Sequence, residues 1–471
     1  MGQSFFPDTI DQTLMFPPSL HDWLPEAHLA RFLVDVVAEL DLSAIYASYA
    51  EKDGRGQAAY APEMMVRLLL YGYATGVYSS RKIQTRTCED LAFRYLSGDQ
   101  HPDHATIAEF RKRHLEALSG LFKQALLLCS EAGLVKLGHV AIDGTKIKAN
   151  ASKHKAQSYK RMGETEARLK QEIDALLAAA EKTDAEEDAQ HGADRRGDEL
   201  PDELARRESR LEKLREARAS LEKEAREEAA QKRAEVEQKL AEREEEERRA
   251  GKKKRGRKPQ APDPEQAKPK DTAQRNFVDP ESHIMPDGTN KGSFLQGYNA
   301  QIAVDAASQV IVAAEVTQDT NDKKQLVPMI AQIAVNLGHK PQKVSADTGY
   351  FSEANVTDES VKDVDLHVAT GRDQHGDAAE AVGDPLPLDK RSGASPKEAM
   401  RDKLRTADGR AVYKMRKAIA EPVFGQIKEQ RGFRRFSLRG KENVGREWKL
   451  VCAVSNLLKL FRAALVPQMM A

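Results

Sequence analysis

The stretch VAIDGTK at residues 140–146 decides the fold class of this chain. Its first three residues form a short apolar run, which is typical of a buried strand. Asp143 and Gly144 follow at once and indicate that the strand ends in a turn. The sequence therefore predicts a buried strand whose carboxyl end carries a carboxylate.

Two further acidic residues occur next to, or within, elements of the same α/β kind. Asp347 comes directly after a short strand-like run at residues 343–346, and Glu421 lies in a predicted helix over residues 412–429. Asp347 lies 204 residues after Asp143, and Glu421 lies 74 residues after Asp347. A predicted hairpin and a predicted helix lie between the two aspartates, so strands and helices alternate along this part of the chain.

Such an alternation can bring two strand ends and a flanking helix to one crevice. Three carboxylates in that crevice would repel one another unless cations lay between them. Hard divalent cations such as Mg²⁺ or Mn²⁺ prefer carboxylate oxygens. Two such ions about 4 Å apart can hold the attacking and leaving oxygens of a phosphodiester. The pattern therefore favours metal-dependent phosphoryl transfer, in which no side chain has to act as the nucleophile.

Residues 1–135 are predicted to form a helical DNA-binding domain. Apolar residues recur there at helical spacing, and Gly98 and Pro102 separate two predicted helices in the manner of a helix-turn-helix. The second of these helices carries Arg111 and Arg113, which would contact DNA if the helix lay in the major groove. Ordinary solvated surface charge is the alternative interpretation of both arginines.

Residues 156–292 are predicted to form a charged helical arm. The heptad-like spacing from Leu204 to Leu221 is too short for a sustained coiled coil, so an antiparallel helical hairpin or a partly frayed single helix remains. The arm ends in a basic cluster at residues 252–258 and a Pro- and Lys-rich stretch to about Lys270. That composition predicts a flexible linker, which could touch the DNA backbone or minor groove or could simply be solvated.

Composition argues against several other classes of protein. The three cysteines, Cys88, Cys129 and Cys452, are far apart, which argues against a zinc site or a disulfide framework and predicts buried thiols in a reducing cytosol. No signal pattern and no apolar run of about 20 residues is found, so we expect a soluble cytoplasmic protein with no membrane partner. The chain has no Gly-x₄-Gly-Lys loop, so no nucleotide partner is expected.

Three motifs resemble those of the bacterial insertion-sequence DDE transposases. Residues 140–146 resemble the first-aspartate motif, and ADTGY at residues 346–350 resembles the second. The stretches at residues 276–282 and 297–301 are also similar to that family. The family's third signature, Tyr-x₂-Arg-x₃-Glu-x₆-Lys, is matched, with one extra residue between its Arg and Glu, by Tyr413, Arg416, Glu421 and Lys428.

The resemblance implies a ribonuclease-H-like α/β catalytic domain. This domain would comprise residues 136–155 and 293–466, with the charged arm at residues 156–292 interrupting it between its first and second strands. The resemblance also implies a catalytic and metal-ligating triad that binds Mg²⁺ or Mn²⁺, as two ions: Asp143, Asp347 and Glu421. The implied partner is double-stranded DNA, at the transposon ends and the target, bound by a homodimer at the nucleoid.

The third motif lies in a strongly basic segment. Residues 401–450 hold 15 Lys and Arg against 6 Asp and Glu, a net charge of +9 that suits a polyanion. In a regular helix Glu421 and Lys428 are two turns apart and share a face, whereas the rival acid Glu429 points elsewhere. The residues expected to bind DNA here are Tyr413, Arg416, Lys428, Arg434 and Arg435; ordinary surface charge is the alternative for Arg416 and Lys428.

The function predicted is that of a transposase that binds the ends of its own insertion sequence, cleaves DNA and transfers strands. Two alternatives stay open. One is a ribonuclease-H-like DNA nuclease without strand transfer. The other is a non-catalytic protein that bridges DNA through its helical front domain and its arm.

Overall fold

A computed structural model describes residues 19–50, 59–191, 202–250, 259–288, 292–371 and 395–470. The chain forms two units, one of residues 1–147 with 299–471 and the other of residues 148–298. The front helices and the sheet that follows them therefore belong to one unit. The basic cluster at residues 252–258, predicted to be a flexible linker, lies outside the described residues.

The first unit opens with helices that pack around a leucine-rich core. Their bounds are α1 (Leu20–Trp23), α2 (Leu29–Glu39), α3 (Ser43–Ala50), α4 (Pro62–Ala74), α5 (Ser80–Glu89), α6 (Leu91–Ser97), α7 (His104–Arg113) and α8 (Leu115–Glu131). Pro62 begins α4, because its fixed φ suits a first turn where no N–H partner is needed. Leu33, Leu68 and Leu69 are fully buried between these helices.

The predicted turn between two of these helices is confirmed. Gly98 ends α6 in the left-handed conformation, with φ of 58°, which glycine adopts without steric cost. Asp103 begins α7 by accepting hydrogen bonds from the backbone N–H groups of Ala105 and Thr106. The segment between α6 and α7 therefore has standard capping at both ends.

Strands and longer helices make up the rest of the chain. The strands are β1 (His139–Lys148), β2 (Ala156–Ser158), β3 (Gln274–Asn276), β4 (His283–Pro286), β5 (Phe294–Asp305), β6 (Ile311–Thr317), β7 (Lys343–Ala346) and β8 (Asp365–Val368). The helices are α9 (Tyr159–His191), α10 (Asp202–Ala250), α11 (Leu326–Leu337), α12 (Glu353–Thr357), α13 (Pro396–Arg405), α14 (Ala407–Gly425) and α15 (Lys441–Met470). A π turn at Gln426–Gln430 follows α14 directly.

A mixed sheet lies at the centre of the first unit. Its order runs β5-β1-β7-β8, with β6 also paired to β5. The β5–β6 hairpin is antiparallel, whereas β1, β7 and β8 are parallel. The hairpin, the helix α11 after it and the strand at residues 343–346 occur in the predicted order.

Helices α8, α11 and α15 cover this sheet. Ile142, Val312, Ile330 and Val344 belong to one buried apolar cluster with residues of α8 and α11. The Asn456 side chain on α15 accepts a hydrogen bond from the Ile311 backbone N–H and donates one to the Ile311 carbonyl, each 2.8 Å long. Because a buried amide needs such partners, α15 is held in register with β6.

Two details correct the sequence analysis. Cys129 and Cys452 are buried thiols, as predicted, but Cys88 is exposed, since it lies near the end of a short helix that buries only Ile83 and Thr87. The helix predicted over residues 412–429 begins earlier, at Ala407, and gives way to the π turn after Gly425. No helix among the described residues is long and apolar enough to cross a membrane.

The second unit contains the long helices α9 and α10. They run antiparallel: Tyr159 at the start of α9 bonds to Glu222 of α10, and Glu172 further along α9 pairs with the earlier residue Arg207 of α10. An apolar seam joins them, formed by Met162, Leu169, Ile173, Leu211, Leu214, Ala217 and Leu221. The short antiparallel pair of β2 and β3 lies at the base of α9, and β4 pairs with residues 294–297 of β5.

Candidate catalytic site

The two predicted aspartates occupy equivalent positions on neighbouring strands. Ile142 of β1 is the register partner of Ala346 of β7, and the strands are parallel, so Asp143 and Asp347 each come directly after the last paired residue. The strand β7 ends there, but β1 continues to Lys148 beside β5. The turn predicted directly after Asp143 is therefore wrong, and Asp143 lies within β1. Each carboxylate accepts a hydrogen bond from a motif glycine, Asp143 from the Gly144 N–H at 2.9 Å and Asp347 from the Gly349 N–H at 2.8 Å.

The Asp143 carboxylate lies in a mostly buried position, with 16% of its side chain exposed. The pKa of this group is raised to about 6, chiefly by burial and to a lesser extent by the nearby charges of Asp347 and Asp322, whereas the Arg416 guanidinium and the Gly144 N–H act in the opposite direction. Burial disfavours the charged form of an acid, and like charges do the same. The aspartates are therefore close enough to interact electrostatically.

Two residues of the third motif, Arg416 and Lys428, contact the first aspartate motif, and Tyr413 lies against Arg416. Arg416 on α14 donates to Asp143 Oδ2 at 3.3 Å, and its guanidinium lies 5.9 Å from the centre of the Tyr413 ring, within the range of a cation–π contact. Lys428 donates to the Thr145 hydroxyl and, at 3.1 Å, to the Lys146 carbonyl. The structure thus brings Arg416 and Lys428 to residues 143–146 of β1, with Tyr413 beside Arg416.

Glu421 lies in a different environment. Its side chain is exposed, whereas Lys428 is half-buried. The π turn at Gln426–Gln430 adds a residue to the helical turn that contains Lys428. The two-turn spacing predicted for a regular helix, which would have put Glu421 and Lys428 on one face, therefore does not hold here. Glu429, the rival acid, pairs instead with Arg434.

The described carboxylates do not form a complete metal site. Among the described parts of the chain, no three His, Cys, Asp or Glu side chains are grouped so that they could hold a metal ion. The oxygen donors of Asp143 and Asp347 are of the type that hard divalent cations prefer. The cationic groups placed beside the acids are, however, the protein's own Arg416 and Lys146.

A basic cavity of about 630 Å³ opens beside Asp347 and Arg416. Thr348, next to Asp347, lies in its wall, together with Tyr413 and residues of α13 and α14. Its described lining includes six basic side chains and no acidic one, namely Arg401, Arg405, Arg410, Lys414, Arg416 and Lys417. All but Arg416 are exposed, and the buried Nε of Arg416 has no hydrogen-bond partner. This lining suits a polyanion.

The front domain requires one correction. Arg111 was expected to contact DNA, but it is buried, with 9% of its surface exposed, and it donates to the Tyr78 carbonyl at 2.8 Å. A guanidinium held inside the protein in this way cannot reach a groove. Arg113 is exposed and pairs with Glu109 one helical turn earlier. Arg434 and Arg435 are also exposed.

Three polar residues beside the aspartates had no predicted role: Asp322, and Asn299 and Gln301, which lie in the family-like stretch at residues 297–301. Asn299 and Gln301 are fully buried, and their side-chain amides donate to Asp322 Oδ1 at 2.6 and 2.7 Å. A signal was present, because amides at alternate positions of a buried strand need buried partners. Nothing local in the sequence indicates which residue supplies the partner.

Two family models match the chain. The model described as "Transposase domain (DUF772)" matches residues 18–113, and the model described as "Transposase DDE domain" matches residues 265–457. Together they cover most of the helical front, both strands of the hairpin, the second aspartate and the third motif. The chain belongs to the insertion-sequence DDE transposases.

Membership of this family establishes the general class of enzyme to which the chain belongs. The DDE domain implies a ribonuclease-H-like fold, and transposases are enzymes that act on DNA and typically use divalent metal ions. No curated protein and no solved structure matches this transposase.

Proposed function

We propose that this transposase binds the ends of its own insertion sequence, cleaves DNA there and joins the released ends to target DNA. The observation that supports the proposal best is the position of Asp143 and Asp347 directly after the last paired residues of two adjacent parallel strands, beside a cavity whose described lining is basic. Carboxylates suit the activation of water or a hydroxyl, and the cationic wall suits the phosphates of a DNA strand.

In the proposed reaction, water attacks a phosphodiester at the element's end, which releases a 3′-hydroxyl and leaves a 5′-phosphate. The 3′-hydroxyl then attacks a target phosphodiester, so that one P–O bond forms as another breaks. Arg416 would hold the Asp143 carboxylate in place, while Arg405, Arg410 and Lys414 would contact phosphate oxygens of the strand. When bound, Mg²⁺ or Mn²⁺, as two ions, would supply charge stabilisation at the reacting phosphate.

Glu421 is proposed as the third acid, on the resemblance of its motif to the Tyr-Arg-Glu-Lys signature. Because its side chain is exposed on α14, its participation requires it to approach Asp143 and Asp347 in the complex with DNA and metal. Two DNA ends must be held together for transposition, so we propose a homodimer on DNA, at work on the nucleoid. The helices α9 and α10 would form a charged insertion within the catalytic fold.

The test is incubation of the purified protein with linear DNA that carries the element's ends, with Mg²⁺. Cleavage at the ends followed by joined products is expected, and Asp143→Ala or Asp347→Ala should abolish both while end binding persists. Cleavage without joined products would favour a nuclease. Binding and bridging without any cleavage would favour the non-catalytic alternative. An Asp347→Ala protein that cleaves at the wild-type rate would contradict the assignment.

A further inference from the structure

Asp322 lies within the aspartate site although it belongs to none of the three motifs. It sits in the turn before α11, with 20% of its side chain exposed. Its Oδ1 accepts the two amide hydrogen bonds from Asn299 and Gln301. Gln301 is itself held, because its Oε1 accepts a hydrogen bond from the Tyr350 hydroxyl and its backbone carbonyl accepts one from Trp448 Nε1 at 3.0 Å.

Gly144 and Gly349, the glycines of the first two motifs, both lie close to the Asp322 side chain. A Cβ added to Gly144 would lie 2.3 Å from Gln301 Nε2 and 2.9 Å from Asp322 Oδ1. A Cβ added to Gly349 would lie 3.0 Å from Asp347 Oδ1 and 3.3 Å from Asp322 Oδ2. Because real Cβ atoms do not approach so closely without displacing their neighbours, the glycines allow the Asp322 side chain to lie close to the backbone beside both Asp143 and Asp347.

Lys146 supplies the cation of this cluster. Its Nζ lies 3.8 Å from Asp322 Oδ1, and its side chain is only 17% exposed. Its backbone carbonyl is held by Lys428. The ammonium therefore stands beside carboxylates that would otherwise repel one another, which is the place that a divalent cation would need.

We propose that Asp322 and Lys146 form a positioning pair for the catalytic centre. Asp322, fixed by Asn299 and Gln301, holds the Lys146 ammonium on the side of the sheet where Asp143 and Asp347 lie. There the ammonium offsets the repulsion between the carboxylates and competes with divalent cations for them. This inference rests on the proposed metal-dependent function, and it accounts for the incomplete metal site among the described residues.

The test uses Ca²⁺ as the probe and the thermal stability of the full chain as the readout. Titration of Ca²⁺ against melting temperature gives a half-saturating concentration for each variant. Lys146→Gln should lower it about tenfold, because the change removes a positive charge about 4 Å from the Asp322 carboxylate that competes with the added cation. Lys146→Arg should resemble the wild type, since the charge is kept. The matched control is Lys323→Gln, which neutralises an exposed lysine next to Asp322.

Asp322→Asn provides the second measurement. It should raise the half-saturating Ca²⁺ concentration, because the centre loses one negative charge and Lys146 loses its partner. It also carries the test if Lys146→Gln does not fold. Equal half-saturating concentrations in the wild type, Lys146→Gln and Asp322→Asn would overturn the pair. If Asp347→Asn abolishes the Ca²⁺ response in that case, the proposed metal-dependent function stands; a wild type with no Ca²⁺ response overturns both.

Discussion

The Arg416 guanidinium lies 3.3 Å from the Asp143 carboxylate, although 273 residues separate the two in the sequence. Both side chains are mostly buried, with exposed fractions of 9% and 16%. The contact joins the helix of the third motif to the strand of the first. Removing one member of a buried pair leaves the other charge without a partner.

A double-mutant cycle should measure this coupling. Arg416→Met should lower the free energy of unfolding by about 3 kcal/mol, because the Asp143 charge is left unpaired. In an Asp143→Asn background the same change should cost much less, since no carboxylate charge remains. Urea denaturation of the four proteins gives the coupling energy, and additive effects would show that the contact carries no stabilising interaction.

The third acid can be tested with a matched pair of variants. Glu421→Gln should reduce cleavage by more than roughly 100-fold while DNA-end binding is retained. Loss of a residue that only supports a metal ligand can already cost about that much, and Glu421 is proposed as a ligand itself. Glu429→Gln, which changes an exposed acid nearby that pairs with Arg434, should leave cleavage near the wild-type rate. The reverse ranking in a cleavage assay would assign the role to Glu429.

The basic cavity should contribute to DNA affinity in a salt-dependent manner. Arg405→Gln and Arg410→Gln should each weaken binding to specific and random DNA alike, and each should reduce the slope of log affinity against log salt by about 1. Fluorescence anisotropy at several salt concentrations measures both effects. Lys362→Gln, an exposed lysine outside the cavity, is the control, and an equal effect there would indicate non-specific charge.

Arg111 and Arg113 should now behave differently from each other. Arg111→Met should lower thermal stability, since the guanidinium holds the Tyr78 carbonyl inside the protein and its loss leaves a buried acceptor unsatisfied. Arg113→Gln should leave stability unchanged and alter preference among DNA sequences, if α7 lies in the groove. Binding competition between specific and random DNA tests the second effect, and a melting curve tests the first.

His139 should make the protein less stable in mild acid. Burial, with the charges of His367 and Lys343, lowers the pKa of His139 to about 4. Its stabilising contribution is therefore complete above the unfolded value near 6.5 and is lost as the pH falls toward 4, because only the unfolded chain takes up the proton. Between pH 7.5 and 5 this loss amounts to about 2 kcal/mol.

His139→Gln should lose correspondingly less stability over that range in urea denaturation. The control is His339→Gln, at an exposed position, which should follow the wild type. If His139→Gln and the wild type lose equal stability, the acid sensitivity has another source. The Nε2 of His139 lies 2.8 Å from the Ser345 hydroxyl, so both proteins should be compared at pH 7.5 first.

Local sequence patterns by themselves determined the strand that leads into Asp143, the strand before Asp347, the hairpin and helix between them, and the capped turn between α6 and α7. These follow from apolar runs, glycine and capping residues within a few positions of one another. The same patterns did not determine that β1 continues past Asp143 to Lys148. The motifs also indicated the transposase family, which the family models confirmed. The catalytic roles of Asp143, Asp347 and Glu421 stay predictions.

Tertiary structure alone decided which side chains contact Asp143 and Asp322. Asp143 pairs with Arg416, and Asp322 accepts hydrogen bonds from Asn299 and Gln301. No local sequence pattern links these residues. The same holds for Arg111, whose position on a charged helix suggested solvent but whose side chain is buried against Tyr78. Periodicity describes one element at a time, whereas burial and charge pairing depend on how separate elements pack, so these contacts could be seen only in the folded chain.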